Sequence, residues 1–275
     1  MFANLTSNAA ELCFSPARLG SYQRFFHAKT DRETLGAHMW HQTVSASLWP
    51  LIGMVEVVFR NRAHRALSQL HGGVPSRAWY GGGPQDMRLK GLQSRVDDIL
   101  NRTDDAGNNV VNTIDEFIAE TTFGLWVHVL QQLDTNRRYR FCLTAFPSYP
   151  LVKDKGAWIA PVKTWMPLIK RLESHRAFRN RIAHHAPLWT VPYLPGPDGS
   201  SILPSGPGAL ILSLRQQASM LRATIEDMES NLADFWDGEP KQAFMNLTTV
   251  AMIDKAMGKA APPESTLAAT PVVPS

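Results

Sequence analysis

The sequence predicts an all-α fold for a chain of 275 residues. Apolar residues recur at i, i+3, i+4 and i+7 over long stretches, which is the spacing of one buried helix face. Proline and glycine fall mostly between these stretches, and no segment shows the alternating pattern that is typical of a strand. Hydrophobic residues make up 44% of the chain, enough to fill the core of one large domain.

The first helices follow from local signals. Ser15 and Pro16 predict an N-cap and a first-turn proline for a helix that runs to about Ala28. Regular apolar spacing from Glu33 to about Leu70 predicts a long helix, or two helices with a joint near Pro50. Glycine and proline at 71–84 end this pattern.

The remaining elements are predicted in the same way. A polar helix is expected over about 85–102, followed by a turn at 103–109. The stretch 191–207 holds five prolines with glycine and serine between them, and we expect an exposed loop there. Further helices are predicted over about 112–134, 136–146, 160–176 with its continuation 177–186 up to Pro187, 208–235 and 241–258.

These elements divide the chain into three parts. Residues 1–14 are expected to form a flexible arm, and 15–258 to form a single domain. The composition of 259–275 is biased to proline, alanine and serine, which predicts a disordered tail.

Composition narrows the class of protein. The sequence pI is about 9.2, and 19 of the 28 basic residues are arginine, whose planar fork suits phosphate groups. This favours a polyanionic partner, although an ordinary, mildly basic protein fits equally well. Cys13 and Cys142 lack the spacing of a redox motif or a disulfide framework, so a reducing cytoplasm is expected.

No membrane span or signal peptide is expected. The N-terminus lacks a basic segment followed by an apolar run. The longest apolar stretch, 47–59, is short and carries Glu56.

The segment 178–185, FRNRIAHH, is the main candidate site. Arg179 and His184 form an R-x4-H pattern, a spacing that is near chance on its own in a chain with this many arginines. The context is more specific, because Asn180 lies four residues before His184 and Arg176 lies four residues before Asn180. These three residues share one stripe of a helix. His185 and Arg181 make the helix end basic and titratable.

Such a cluster suits phosphate chemistry. Histidine can take or give a proton near neutral pH, and arginine can stabilise the charge that develops on a phosphorus-centred transition state. RNA supplies its own nucleophile, the 2′-hydroxyl, so no metal and no cofactor is expected. The alternative is structural, because basic residues at a helix C-terminus also interact favourably with the helix dipole.

A similar segment, FRNRAHR at 59–65, contains Arg60, Asn61 and His64 with the arginine and histidine one residue closer together. Glu56, Arg60 and His64 form a polar stripe on an otherwise apolar helix, and charges on such a face normally need partners. They are expected either to pair with the later motif or to line the same cleft.

Other site types have weaker support. His38 with His41, or His184 with His185, could supply metal ligands, but the sequence has no HExxH and no CxxC motif. The glycines at 81–83 lack the sequence of a phosphate-binding loop. Bases could stack on tryptophans near loops, namely Trp79, Trp158 and Trp189.

Four segments resemble, in the same order, the Abi-like family of bacterial abortive-infection proteins of the AbiD/AbiF type. The resemblance covers about 15–235, and its last segment is the most specific. The segments are Ser15-Pro16-x-Arg18-Leu19, Leu48-Trp49-Pro50 with 55–64, Thr122-Phe123-Gly124-Leu125-Trp126, and 179–188.

The resemblance implies a HEPN-type helical bundle with additional helices, in which an R-x4-6-H motif cleaves RNA without metal. It gives charge stabilisation to Arg179, orientation of the site to Asn180 and proton transfer or phosphate contact to His184. Supporting roles are implied less directly for His185, Arg181, Arg176, Glu56, Arg60, Asn61 and His64.

The resemblance also implies partners. Such proteins resemble toxins of phage-defence or toxin–antitoxin systems, which are held silent by an RNA or protein antitoxin. Two active-site halves are often brought together by a dimer or by paired domains, and a homodimer is expected here. The expected function is therefore a metal-independent endoribonuclease that leaves 2′,3′-cyclic phosphate ends, and the alternative is a non-catalytic RNA-binding module that uses the same basic helix.

Overall fold

The computed structural model describes residues 14–71, 92–153, 161–191, 194–195 and 201–259. Eleven α-helices in these ranges confirm the all-α prediction. Residues 1–13 of the expected arm, 260–275 of the expected tail and 72–91, including the start of the polar helix, lie outside the described residues. The helices are α1 (Pro16–Phe26), α2 (Asp31–Leu70), α3 (Gln93–Leu100), α4 (Ile114–Glu120), α5 (Phe123–Gln132), α6 (Thr135–Ala145), α7 (Pro161–Ala183), α8 (Pro207–Met228), α9 (Ser230–Asp237), α10 (Glu239–Leu247) and α11 (Val250–Met257).

Helix α2 is a single helix of 40 residues that continues through Pro50. Thr30 caps its start, because the Thr30 hydroxyl accepts a hydrogen bond from the Glu33 amide at 3.2 Å. Pro50 lies on the exposed side, while Leu48 and Leu51 on either side of it are fully buried. Packing of these neighbours holds the helix together where local sequence allowed a joint.

The other helices assemble around α2, which packs against α1, α4, α5, α6, α7, α8, α10 and α11. The core at its centre is aromatic. Phe59 of α2 meets the ring of Phe123 edge-on at 5.5 Å and the ring of Phe146 at 5.6 Å. Phe178 of α7 and Trp126 of α5 are also fully buried. The motif-bearing helices α2, α5 and α7 therefore belong to one core.

Three predicted helices are each broken in two. The stretch 112–134 divides before Thr122, 208–235 divides at Glu229, and 241–258 divides before Thr249. Thr122 and Thr249 cap the helices that follow them, with side-chain oxygens 3.3 Å and 3.2 Å from the capped amides. A threonine that caps a helix has a non-helical backbone, so the preceding helix ends before it. The chain therefore changes direction there without proline or glycine.

Two smaller features differ from expectation, and one agrees with it. Ser15 does not cap α1 with its side chain, and its φ is 59°. The predicted turn at 103–109 is present, and Asp104 accepts the amides of Ala106 and Asn108 there. Within the proline-rich stretch 191–207, β1 (Leu194–Pro195) and β2 (Ser201–Ile202) form a two-residue antiparallel pair.

Among the described helices, α2 alone has the length and apolar composition that a membrane span requires, and half of its most apolar window is buried inside the protein. Core helices meet the same criterion.

Helix α11 packs closely against Gly36 of α2. A Cβ at this position would lie 2.1 Å from the carbonyl oxygen of Ala256 in α11. We expect Gly36→Ala to push α11 away and to lower the free energy of unfolding by about 1–3 kcal/mol.

Gly53 in the same helix provides a matched control, because a Cβ there would meet nothing within 4 Å. Gly53→Ala should raise the free energy of unfolding by about 0.5–1 kcal/mol, since alanine favours the helix. Urea unfolding of both variants checks the pair. Equal stability of the two variants would contradict the close contact between α2 and α11.

Candidate functional site

The main candidate motif lies at the C-terminus of α7. The helix ends at Ala183, four residues before Pro187, so the expectation that Pro187 ends it is wrong. The amide of His185 donates to the carbonyl of Ile182 at 3.0 Å, and that of Ala186 donates to Arg181 at 2.8 Å. This pair of bonds is a Schellman motif, with His185 in the left-handed conformation at φ 52°.

Glu56 joins the two motif arginines. Its carboxylate is buried on α2 and accepts a hydrogen bond from the Arg60 guanidinium and another from Nε of Arg179 at 3.2 Å. Arg60 also donates to the carbonyl of Ala119 at 2.9 Å. Of the two arrangements that the sequence left open, the structure has Glu56 paired with the later motif through Arg179, while Arg60 pairs with Glu56 of its own helix.

Arg179 is held from two sides. Besides the bond to Glu56, its Nη1 lies 3.5 Å from the side-chain oxygen of Asn180. About a third of the Arg179 side chain is exposed, so the guanidinium is anchored at the core and still reaches the surface. This geometry suits an arginine that presents a fixed positive charge to a ligand.

The remaining residues of the earlier motif do not join this cluster. Asn61 is exposed and donates to the carbonyl of Val57 in its own helix at 2.9 Å. His64 is buried, with Nε2 3.3 Å from the hydroxyl of Ser68. The structure therefore brings Glu56 and Arg60 to Arg179 and leaves Asn61 and His64 elsewhere on α2.

Arg176, Asn180 and His184 are all exposed, as expected for one stripe of a helix. Arg176 lies over Gly124 of α5, where an added Cβ would come within 3.3 Å of the Arg176 Cδ. Arg181 is half-buried. Helix α7 thus contacts α5 through Arg176 and α2 through Arg179.

An open groove of about 700 Å³ separates α2 from the C-terminal turn of α7. Arg179 and His185 line the groove, whereas His184 does not. Two further lining residues, Gln42 and Trp49, were not among the sequence candidates. The exposed Trp49 was visible in the Leu48-Trp49-Pro50 segment, but nothing in the sequence places Gln42 beside His185, 143 positions later. The full lining is Gln42, Ser45, Ala46, Trp49, Arg179, Ile182, Ala183 and His185.

Of the three tryptophans that were candidates for base stacking, the structure describes Trp189. Trp189 is buried and stacks on Phe25, with 4.4 Å between ring centroids, so it is a core residue. Trp79, Trp158 and the glycines at 81–83 lie outside the described residues.

Two buried histidines near the site are neutral. Burial lowers the pKa of His175 to about 3, and Arg171 acts in the same direction. Gln217 donates to Nδ1 of His175 at 3.0 Å, and Nε2 donates to the Thr224 hydroxyl at 2.8 Å. Because Gln217 occupies the lone pair, an added proton would break that bond and bury a charge.

His41 is arranged in the same way. The amide of Leu188 donates to its Nε2 at 3.2 Å, which leaves Nδ1 to donate to Tyr22 at 3.0 Å. Burial, with nearby His38, lowers the pKa of His41 to about 3. In the part of the chain that the structure describes, no three His, Cys, Asp or Glu side chains are grouped closely enough to hold a metal ion.

Stability should fall in mild acid because of these two histidines. Their folded pKa values lie below the unfolded value of 6.5, so the unfolded chain binds more protons between pH 6.5 and 3. At pH 5 the loss should be about 2 kcal/mol per histidine, from about 1.4 kcal/mol per pH unit. Urea unfolding at pH 7.5 and pH 5 measures it, and His175→Gln should remove about 2 kcal/mol of the difference. A flat profile in the unaltered protein would show that these histidines accept protons freely.

Glu56→Gln tests the arginine cluster. Loss of the negative charge leaves two guanidinium groups facing each other at a buried position, and we expect the free energy of unfolding to fall by about 1–3 kcal/mol. Glu226→Gln is the control, because Glu226 pairs with Arg222 on the surface and should change stability by less than about 1 kcal/mol. Equal effects in urea unfolding would mean that the Glu56 cluster is only a surface ion pair.

Comparison of this chain with known proteins gave no match to any protein-family model, curated protein or solved structure.

Proposed function

We propose that this protein is a metal-independent endoribonuclease of the HEPN type, related to the Abi-like proteins. The observation that carries the proposal is the placement of Arg179. Glu56 and Asn180 hold its guanidinium at the edge of an open groove that also contains a histidine. A fixed positive charge beside a group that can exchange a proton is what cleavage of a phosphodiester requires.

The chemistry follows from RNA itself. The 2′-hydroxyl attacks the adjacent phosphorus, and the products are a 2′,3′-cyclic phosphate and a 5′-hydroxyl. Arg179 stabilises the charge on the phosphate oxygens, and Asn180 orients the guanidinium. Proton transfer belongs to the histidine pair that ends α7, within which the resemblance indicates His184.

The groove supports single-stranded RNA as the substrate class. Arg179 and His185 provide positive and proton-exchanging groups, and the exposed Trp49 provides an aromatic face for a base. Arg176 is exposed on the same helix as Arg179 and can contact the phosphate backbone of the RNA beside the groove.

The biological role that we propose is a toxin of a phage-defence or toxin–antitoxin system in the cytoplasm. A silencing partner, either RNA or protein, is part of this proposal, and so is a homodimer. Growth arrest on expression that Arg179→Ala relieves would support the toxin role over general RNA processing.

The activity is tested with purified protein and end-labelled single-stranded RNA in EDTA. We expect cleavage with 2′,3′-cyclic phosphate ends, identified by mass spectrometry. Arg179→Ala should reduce the rate about 100–1,000-fold, because the charge on the phosphate is then unopposed.

Arg102→Ala is the matched control, because Arg102 pairs with Glu120 on the surface and does not line the groove. Its rate should equal that of the unaltered protein. Binding without cleavage would favour an RNA-binding module, and activity that EDTA abolishes would favour a metal-dependent nuclease.

A further inference from the structure

The two adjacent histidines at the end of α7 have different surroundings. His184 continues the exposed stripe of Arg176 and Asn180, and its side chain has no hydrogen-bond partner among the described residues. His185 lies in the turn that follows, lines the same groove as Arg179 and is hydrogen-bonded to Gln42. The left-handed backbone at His185 turns the chain so that consecutive side chains occupy different faces.

The bond to Gln42 determines how His185 is protonated. Tyr22 forms a side-chain hydrogen bond with Gln42, and His41 approaches the Gln42 Nε2 atom at 3.4 Å. The Gln42 amide nitrogen faces this buried cluster and its oxygen faces His185. Nδ1 of His185 therefore donates to the Gln42 oxygen at 2.9 Å, and Nε2 remains as the proton acceptor of the ring.

The backbone of His185 is also costly. A residue other than glycine at φ 52° is strained, and such strain is often found at functional positions. Strain alone does not mark a site, because His27 holds the same φ of 52° at the end of α1. His185 differs from His27 in lining the groove and in its bond to Gln42.

We propose that His185, rather than His184, exchanges the proton with RNA, and that Gln42 is its positioning residue. This assignment rests on the proposed ribonuclease function. Nε2 of neutral His185 takes the proton of the 2′-hydroxyl while the 2′-oxygen bonds to phosphorus and the bond from phosphorus to the 5′-oxygen breaks. The leaving 5′-oxygen takes a proton from water, and the imidazolium returns its proton to the hydroxide that forms.

The experiment compares cleavage of single-stranded RNA by His184→Ala, His185→Ala and His185→Gly. We expect both His185 variants to lose at least about 100-fold in kcat and His184→Ala to lose less than about 10-fold. His185→Gly should also raise Tm, because glycine adopts the left-handed conformation without strain. This gain excludes misfolding as the cause of the lost activity.

His27→Gly is the matched control. It relieves the same backbone strain at an exposed helix end, so it should raise Tm to a similar extent and leave cleavage unchanged. A loss of activity in both glycine variants would mean that strain relief itself impairs the enzyme, which would overturn the assignment.

Gln42 is tested by its effect on the pH profile. Gln42→Glu places a carboxylate against Nδ1–H of His185, which favours the imidazolium and should move the acidic limb of kcat to higher pH. The other charged or titratable groups around this cluster are unchanged in the variant, namely Arg18, Tyr22, His38, His41, Arg179 and the adjacent His184. An unshifted profile would overturn the positioning role.

The outcomes separate the two proposals. Cleavage by the unaltered protein that survives His185→Ala and is lost in His184→Ala keeps the proposed function and rejects His185 as the proton carrier. No cleavage by the unaltered protein rejects the ribonuclease itself, and the assignment of His185 is rejected with it.

Discussion

The buried carboxylate of Glu56, shared by Arg60 and Arg179, is the constraint on which the candidate site depends. Three charged groups at the packed face of two helices are costly to desolvate, and replacing such a cluster with apolar residues often leaves stability unchanged. The cluster fixes the position of α7 along α2. Glu56 binds Arg60 of its own helix through one carboxylate oxygen and Arg179 of α7 through the other, so movement of α7 along α2 would break the bond to Arg179.

A second set of contacts, the hydrogen bonds of two histidines, fixes the far end of the same interface. Leu188 donates to His41, and His185 donates to Gln42, so the turn after α7 is tied to the first half of α2. Between these hydrogen bonds and Glu56, side chains of α2 and α7 leave a space, and the groove occupies it. The Glu56–Arg179 ion pair at one end and the histidine hydrogen bonds at the other thus keep open a space that hydrophobic packing alone would fill.

Much of the fold was predictable because periodic apolar spacing reports which face of a helix is buried. The spacing failed where a side chain decided the outcome. Thr122 and Thr249 start new helices by capping them, and Pro50 leaves α2 intact because Leu48 and Leu51 are held in the core. For the site, the sequence indicated that Glu56 and Arg60 needed partners. It gave no signal for Gln42, since an uncharged residue 143 positions before His185 has no local pattern that marks their contact.

The left-handed residue at the end of α7 explains why two adjacent histidines cannot serve the same purpose. Any helix that continued to Pro187 would place His185 about 100° around the axis from His184, and both side chains would follow the helix surface. The Schellman turn instead takes His185 out of the helical path and into contact with α2. Glycine would make this turn at lower cost but would supply no side chain for Gln42 to hold. Gln42 holds a strained histidine, His185, and Glu56 holds the neighbouring Arg179. This arrangement makes the folded protein less stable than the same fold with a glycine turn and an apolar contact would be. The groove gains from it a fixed cation and an oriented proton acceptor.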